Sequence, residues 1–244
     1  MSKRDNSYIG ISFIILVFGI IFVPKIIDRL KNNDFVREGR SGSVTSAENV
    51  SDLMYLVING ERKKVPNFSF TNQRGQLITN EDYKGKVYVV EFFFTTCPTI
   101  CPIMNYNLVE IQNTFNEFDN LGFASFTINP AYDTVEVLSE YATQYGITNK
   151  NWNLLTGDKE EIYKLANNGF KIYTAQEDSA AGGFEHSGNF ALIDKEGYIR
   201  CRSDKSGNPL IYYKGFIDFN EKVDSDGEIE QISILKEDIL KLLK

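Results

Sequence analysis

The sequence is short of the residues that build metal clusters and covalent cross-links. It has one histidine and three cysteines in 244 residues. A single imidazole rules out a histidine-built cluster, and three cysteines are too few for a disulfide framework. Any metal site must lean on sulfur, which narrows the ion to Cu(I) or, given a fourth ligand, zinc. Positive charge is scarce as well: 26 Lys and Arg against 33 Asp and Glu leave a formal net charge of -7. That balance argues against nucleic acid, which calls for basic patches facing its phosphates. An acidic surface suits a cation or a basic protein partner, and it is also an ordinary aid to solubility. No internal repeat is visible.

The first residues read as an address. After Lys3-Arg4, residues 8–23 are apolar apart from glycines and Ser12, and Ile26 and Ile27 follow. Together they reach roughly the twenty residues a membrane helix needs. No small-x-small cleavage pattern comes next, so residues 1–31 are expected to be a signal anchor, a single transmembrane helix. Lys25, Arg29 and Lys31 rival Lys3 and Arg4, so charge does not orient it. A mitochondrial address would be longer and Arg-rich, which favours a bacterial membrane. Residues 32–52 are polar, with Gly39, Gly42 and several serines, and read as a flexible tether. Residues 53–244 have the patterning of one domain.

Within that domain, short strands are expected near Phe68 and at Leu77-Ile78, around a turn at Gln73-Arg74-Gly75. Residues 86–94 (KVYVVEFFF) form a nearly continuous β-favouring run, the mark of a strand buried on both faces. From Pro102 the period changes, and Met104, Leu108, Ile111, Phe115 and Phe118 make one apolar helical stripe. A strand over 123–128 precedes a helix over 134–145, capped by Asp133 or Thr134. A strand over 152–155, a helix over 159–167, a hairpin of 190–193 with 198–202 and an amphipathic helix over 229–243 complete the order. This α/β order is that of a thioredoxin-like fold, which keeps its chemistry at strand ends facing a helix N-terminus.

FFFTTCPTICPIM, residues 92–104, lies at that place. There Cys97 and Cys101 meet open backbone N–H groups and the positive end of a helix dipole, both of which favour thiolate. Pro98 and Pro102 fit a first helical turn, where no N–H is needed. A spacing of four puts the Cα atoms about 6 Å apart on a helix, within reach of a disulfide. A redox pair and a metal site both survive this geometry, whereas a mere staple gains little from closing so small a loop. The candidate third ligand is His186, in the glycine-rich segment AAGGFEHSGNFALID; the alternative is an exposed loop histidine. Cys201 reads as a small core residue. A zinc site of three cysteines and one histidine would need Cys201 beside the pair, which nothing in the sequence provides. A peroxiredoxin would want threonine where Phe94 stands.

These motifs resemble those of the SCO/SenC family of membrane-anchored copper proteins, over about residues 66–214. FFFTTCPTICP matches the family's Phe-x-x-Thr-x-Cys-Pro-x-x-Cys-Pro. NPAYDT (129–134) stands for its Asp-Pro-x-x-Asp-Thr, joined by LLTG (154–157) and EHSGNFALID for its Asp-His-Ser/Thr strand. The resemblance implies a metallochaperone that delivers copper, Cu(I) before Cu(II), to the copper A site of cytochrome c oxidase subunit II or a related acceptor. It implies Cys97, Cys101 and His186 as ligands and Asp133 as a supporting acid, for which a helix cap is the alternative. It further implies other copper chaperones or thiol reductants as partners, and a domain on the periplasmic or extracytoplasmic side of the bacterial cytoplasmic membrane. Two departures stand out: Asn129 replaces an aspartate, and Glu185 replaces the aspartate before histidine, which bears on Cu(II) more than on Cu(I). The rival functions are a thiol-disulfide oxidoreductase acting on the oxidase cysteines, and a copper or redox sensor.

Overall fold

The structure, a computed structural model, describes Leu16, Phe18 and residues 53–177, 179–203 and 209–244. The expected anchor and tether lie outside the described residues, apart from Leu16 and Phe18, which are helical and exposed. Among the described residues no helix is long and apolar enough to cross a membrane. The chain divides into two units, Met1–Ser41 and Gly42–Lys244. Every element named below belongs to the second.

Strands run in the order β1 Met54–Tyr55, β2 Val57–Ile58, β3 Glu61–Arg62, β4 Ser69–Asn72, β5 Leu77–Thr79, β6 Val87–Phe93 and β7 Leu121–Thr127. They continue with β8 Trp152–Thr156, β9 Thr174–Gln176, β10 Phe184–His186, β11 Asn189–Ile193, β12 Ile199–Ser203, β13 Pro209–Leu210 and β14 Tyr213–Lys214. The helices are α1 Ile100–Thr114, α2 Val135–Tyr145, α3 Lys159–Lys164 and α4 Ile232–Leu243.

The main sheet has the order β1-β12-β11-β6-β7-β8-β4-β5. All seven residues of β6 are buried, as are all seven of β7. A strand dry on both faces has no water for its backbone and must be paired on both edges. It is: β7 runs parallel to it from Val87↔Leu121 to Phe93↔Thr127, and β11 runs antiparallel at Ala191↔Val90. A parallel pair requires a crossover, and α1 supplies it, burying Met104, Leu108 and Ile111. The second parallel step, β7 to β8, is made by α2. Thr134 caps α2 by accepting from the Val137 N–H, and Gly146 ends it in the left-handed region at φ 69°. The tail helix α4 buries Ile232, Leu235, Ile239 and Leu243.

Three expectations need correcting. The α1 stripe was expected to reach Phe118, but the helix ends at Thr114. Phe115 and Phe118 fold onto each other through a turn instead, with rings 5.9 Å apart. The helix expected over 159–167 is α3 followed by a π-helical turn, Leu165–Phe170, in which Gly169 packs against Pro66. A Cβ there would lie 2.9 Å from the proline ring. The last helix starts three residues late, because Glu230 accepts from the Ser233 N–H at 2.9 Å and Ile229 stays exposed. Of the two caps expected for α2, Asp133 or Thr134, the structure uses Thr134.

One buried group stands apart. Glu91 on β6 is fully buried and accepts from Ser125 Oγ at 2.6 Å; Ser125 Oγ in turn accepts from Trp152 Nε1 at 3.0 Å. Its Oε2 has no partner among the described residues. Burial pushes this carboxyl up to about 7, against the smaller opposing effect of the Ser125 bond. At this site the native state therefore binds more protons than the unfolded chain between about pH 4.5 and 7, and the site's contribution to stability falls as pH rises through that window. The loss should come to about 3 kcal/mol. The denaturant midpoint of the wild type relative to Glu91→Gln should fall between pH 5 and 8, since every other titrating group is common to both. Parallel curves would refute the assignment.

Candidate metal centre

The cysteine loop follows directly from the end of β6. Phe94 continues the strand line, the Cys97 N–H donates to the Phe94 carbonyl at 3.2 Å, and α1 starts at Ile100. Cys101 and Pro102 thus sit in the first helical turn, where the missing proline N–H costs nothing. Pro98 lies before the Thr99 cap position, outside the helix in which the sequence pattern had placed it.

His186 reaches this loop by topology. Only Ser187 and Gly188 separate it from β11, and β11 runs antiparallel to β6. The start of β11 therefore lies beside the end of β6, where the cysteines are. His186 Nε2 comes 3.2 Å from Cys101 Sγ, and its ring stands edge-on to Phe94 with centroids 6.0 Å apart. The donor atoms of Cys97, Cys101 and His186 all lie within 4.8 Å of one another. Two glycines allow the approach. A Cβ on Gly182 would lie 2.8 Å from the Phe94 ring, and one on Gly188 would meet Phe216 at 2.8 Å and Ile100 at 3.0 Å.

All three cysteines are thiols, and their environments differ. Cys97 is held well below the ordinary thiol range, first by a hydrogen bond from Cys101, then, against some burial, by His186 and the backbone of Cys101 and Thr99. These amides belong to the start of α1, so the expected helix-terminus effect on Cys97 is present. Cys101 goes the other way. Burial raises it well above the usual value, and its bond to Cys97 adds to that. The expectation that both sulfurs favour thiolate holds for the outer one only, because the inner one is 1% exposed.

Asp133 is fully buried and outside the donor group. It accepts from the Thr95 N–H at 3.2 Å and from the hydroxyls of Thr95 and Thr127. It ties the cysteine loop to the end of β7. Burial raises its carboxyl despite these three bonds. Asn129 builds the turn that returns the chain to Asp133, accepting from the Asp133 N–H at 2.9 Å. Glu185 is exposed, opposite Ala175 in the β9–β10 ribbon. Cys201 lies on β12, 3.6 Å from the Met54 carbonyl and apart from the donor group, its thiol pushed up to about 11 by burial.

Sequence reading overlooked Asn105 and Tyr141. Asn105 donates to the Cys101 carbonyl at 3.0 Å and to the Tyr141 hydroxyl at 2.9 Å, which fastens the first turn of α1 to α2. Its position one helical turn past Cys101 was a usable signal; nothing local marks Tyr141.

Comparison with known proteins settles the family. The family model for SCO1/SenC matches residues 58–214, well over half of the chain. The chain belongs to the SCO1/SenC family. The SCO1 protein homolog of Bacillus subtilis (strain 168) is 31% identical over 141 residues, 56% of this chain and 71% of that one. Among solved structures, a SCO1/SenC family lipoprotein from Bacillus anthracis str. Ames is 29% identical. Its TM-score is 0.60, covering 75% of this chain and 96% of that one. BsSco, described with a disulfide switch as a member of the Sco family of cytochrome c oxidase assembly proteins, shares the fold at TM-score 0.59. It is 24% identical, over 75% of this chain and 94% of that one. The thioredoxin-like α/β fold expected from the element order is thus the SCO1/SenC fold.

Thiol reactivity checks the electrostatics. In the folded, reduced protein, iodoacetamide at neutral pH should modify Cys97 first and Cys201 last, as mapped by mass spectrometry. Equal, slow labelling of all three would mean a buried structural role for the pair.

Proposed function

We propose that this chain is a membrane-anchored copper metallochaperone that carries copper to the copper A site of cytochrome c oxidase subunit II or a related acceptor. The observation that carries the reading is the convergence of two sulfurs and one imidazole, within 4.8 Å, at the end of the central strand. Two thiolates and a neutral imidazole are a soft donor set suited to Cu(I); Cu(II) would ask for harder oxygen donors. The SCO1/SenC family and the oxidase-assembly role stated for BsSco support the choice of acceptor. Copper is cargo here. Cys97 offers a ready thiolate, while Cys101 must give up its proton as the metal enters, so uptake strengthens with rising pH. A buried Asp133 keeps the loop in shape through Thr95.

A second reading has its own observation: the asymmetry of the two thiols. A low outer thiol attacks and a high inner one resolves. The Cys97 thiolate would attack a disulfide sulfur of the oxidase client, releasing one client thiolate. Cys101, deprotonated, would then attack Cys97 Sγ, release the second client thiolate and leave a Cys97–Cys101 disulfide. The client gains two electrons, and a thiol reductant must restore the pair. Both activities fit one loop.

His186 separates them. Thiol exchange by His186→Ala should stay near wild type, while its Cu(I) affinity, measured by chelator competition, should fall by at least ~10–100-fold. Cys97→Ser should lose both activities. Unchanged copper affinity in His186→Ala would put the redox reading first.

The place of action follows from the expected anchor at residues 1–31: the bacterial cytoplasmic membrane, with the domain on the extracytoplasmic side. The Bacillus anthracis relative, a lipoprotein by name, fits a membrane-held domain. A reporter fused after Lys244 should be active only outside the cytoplasm; cytoplasmic activity would overturn this placement.

A further inference from the structure

The ribbon that carries His186 is not part of the main sheet. Among the described strands, β9 and β10 pair only with each other, in a register that sets His186 opposite Thr174. Main-sheet pairing of β11 brings His186 to this end of the sheet, but no main-sheet hydrogen bond holds the ribbon itself. Thr174 is 3% exposed, so its polar groups need protein partners. One side chain supplies them. Asn167 Nδ2 donates to the Thr174 carbonyl at 3.0 Å and to its hydroxyl at 3.1 Å, and Asn167 Oδ1 accepts from the Thr174 N–H at 3.1 Å.

Asn167 is placed by the π-helical turn Leu165–Phe170. An α-helix that gains a residue in one turn shifts the faces of the residues after it, and such turns collect at functional sites. This turn is held firmly. Gly169 packs on Pro66, the Phe170 ring lies 5.8 Å from Phe92, and Lys171 closes the turn in the left-handed region at φ 59°. Phe92 stands on β6, two residues before Phe94, whose ring faces His186. Both ends of the donor set thus refer to the same strand, the cysteines directly and the histidine through Phe170, Asn167 and Thr174.

We propose that Asn167 is a positioning residue for the metal centre: through Thr174 it sets where the β9–β10 ribbon holds His186 over Cys101. It touches neither sulfur nor imidazole. Its copper arm rests on the metallochaperone reading; its metal-free arm does not.

The chain's single histidine makes the test direct. In full-length, reduced, metal-free protein with labelled histidine, the His186 ring should show nuclear Overhauser contacts to the Phe94 ring. Asn167→Leu, similar in size but without its three bonds, should lose them. Cu(I) affinity by chelator competition should fall about tenfold in Asn167→Leu. Asn167→Asp keeps the bond to the Thr174 N–H and should lose less; it carries the test if the leucine variant does not fold. In a His186→Ala background neither Asn167 substitution should lower the affinity further, since there is no imidazole left to position. Persistence of the His186–Phe94 contact in Asn167→Leu would overturn the proposal, as would an equal affinity loss in the His186→Ala background. If the contact disappears while wild-type affinity does not depend on His186, positioning stands and the copper reading falls.

Discussion

Strand β6 is dry on both faces from Val87 to Phe93, so every one of its backbone groups must be paired sideways. That requirement organises the domain. On one edge the partner is parallel β7, which forces a crossover and makes α1 start where β6 stops. On the other edge the partner is antiparallel β11, which brings the residues just before it to the same end. A cysteine pair at the first junction and a histidine ahead of the second then meet, although Cys101 and His186 are 85 residues apart. The candidate metal centre follows from how one buried strand is paired.

The same burial decides the chemistry of the site. Cys97 and Cys101 are four residues apart and share a turn, yet one is held low and the other raised. The bond from Cys101 comes first in lowering Cys97, and burial comes first in raising Cys101. The outer sulfur also has the backbone of Thr99 and Cys101 at the start of α1, and the inner one, 1% exposed, has little solvent to support a charge. Such a pair keeps one sulfur ready and one in reserve. The proposed metal transfer and the proposed disulfide exchange would both use that asymmetry.

Buried and half-buried polar side chains do a different job around the centre. Asp133, Asn105 and Asn167 bond mainly to backbone groups or hydroxyls: the Thr95 N–H, the Cys101 carbonyl and the Thr174 peptide. Each holds a loop or helix turn that bears, or is paired with, a donor residue, and none lies in the donor group. A buried polar group without a partner costs free energy, so these bonds select one arrangement of the loops over its neighbours. Asn105 Oδ1 and Glu91 Oε2 are left without partners among the described residues, and burial pushes the Glu91 carboxyl up to about 7.

Local pattern was enough to read the central strand, the placing of the cysteine pair at a strand-to-helix junction, the capped helix α2 and the hairpin after His186. Each of these depends on residues close in sequence: an unbroken apolar run, a change of period from two to 3.6, and a proline where an N–H is not needed. His186 was legible as the one available imidazole, and Asp133 only through a family motif. The tertiary structure alone decided what these residues do to one another. It set the 3.2 Å approach of imidazole to sulfur, took Asp133 away from the cap and gave it to Thr95, and turned the end of α3 into a π-helical turn. It also raised the Cys101 thiol while lowering that of Cys97. These outcomes depend on burial and on contacts between distant segments, which are properties of the packed whole and have no counterpart in the spacing of residues along the chain.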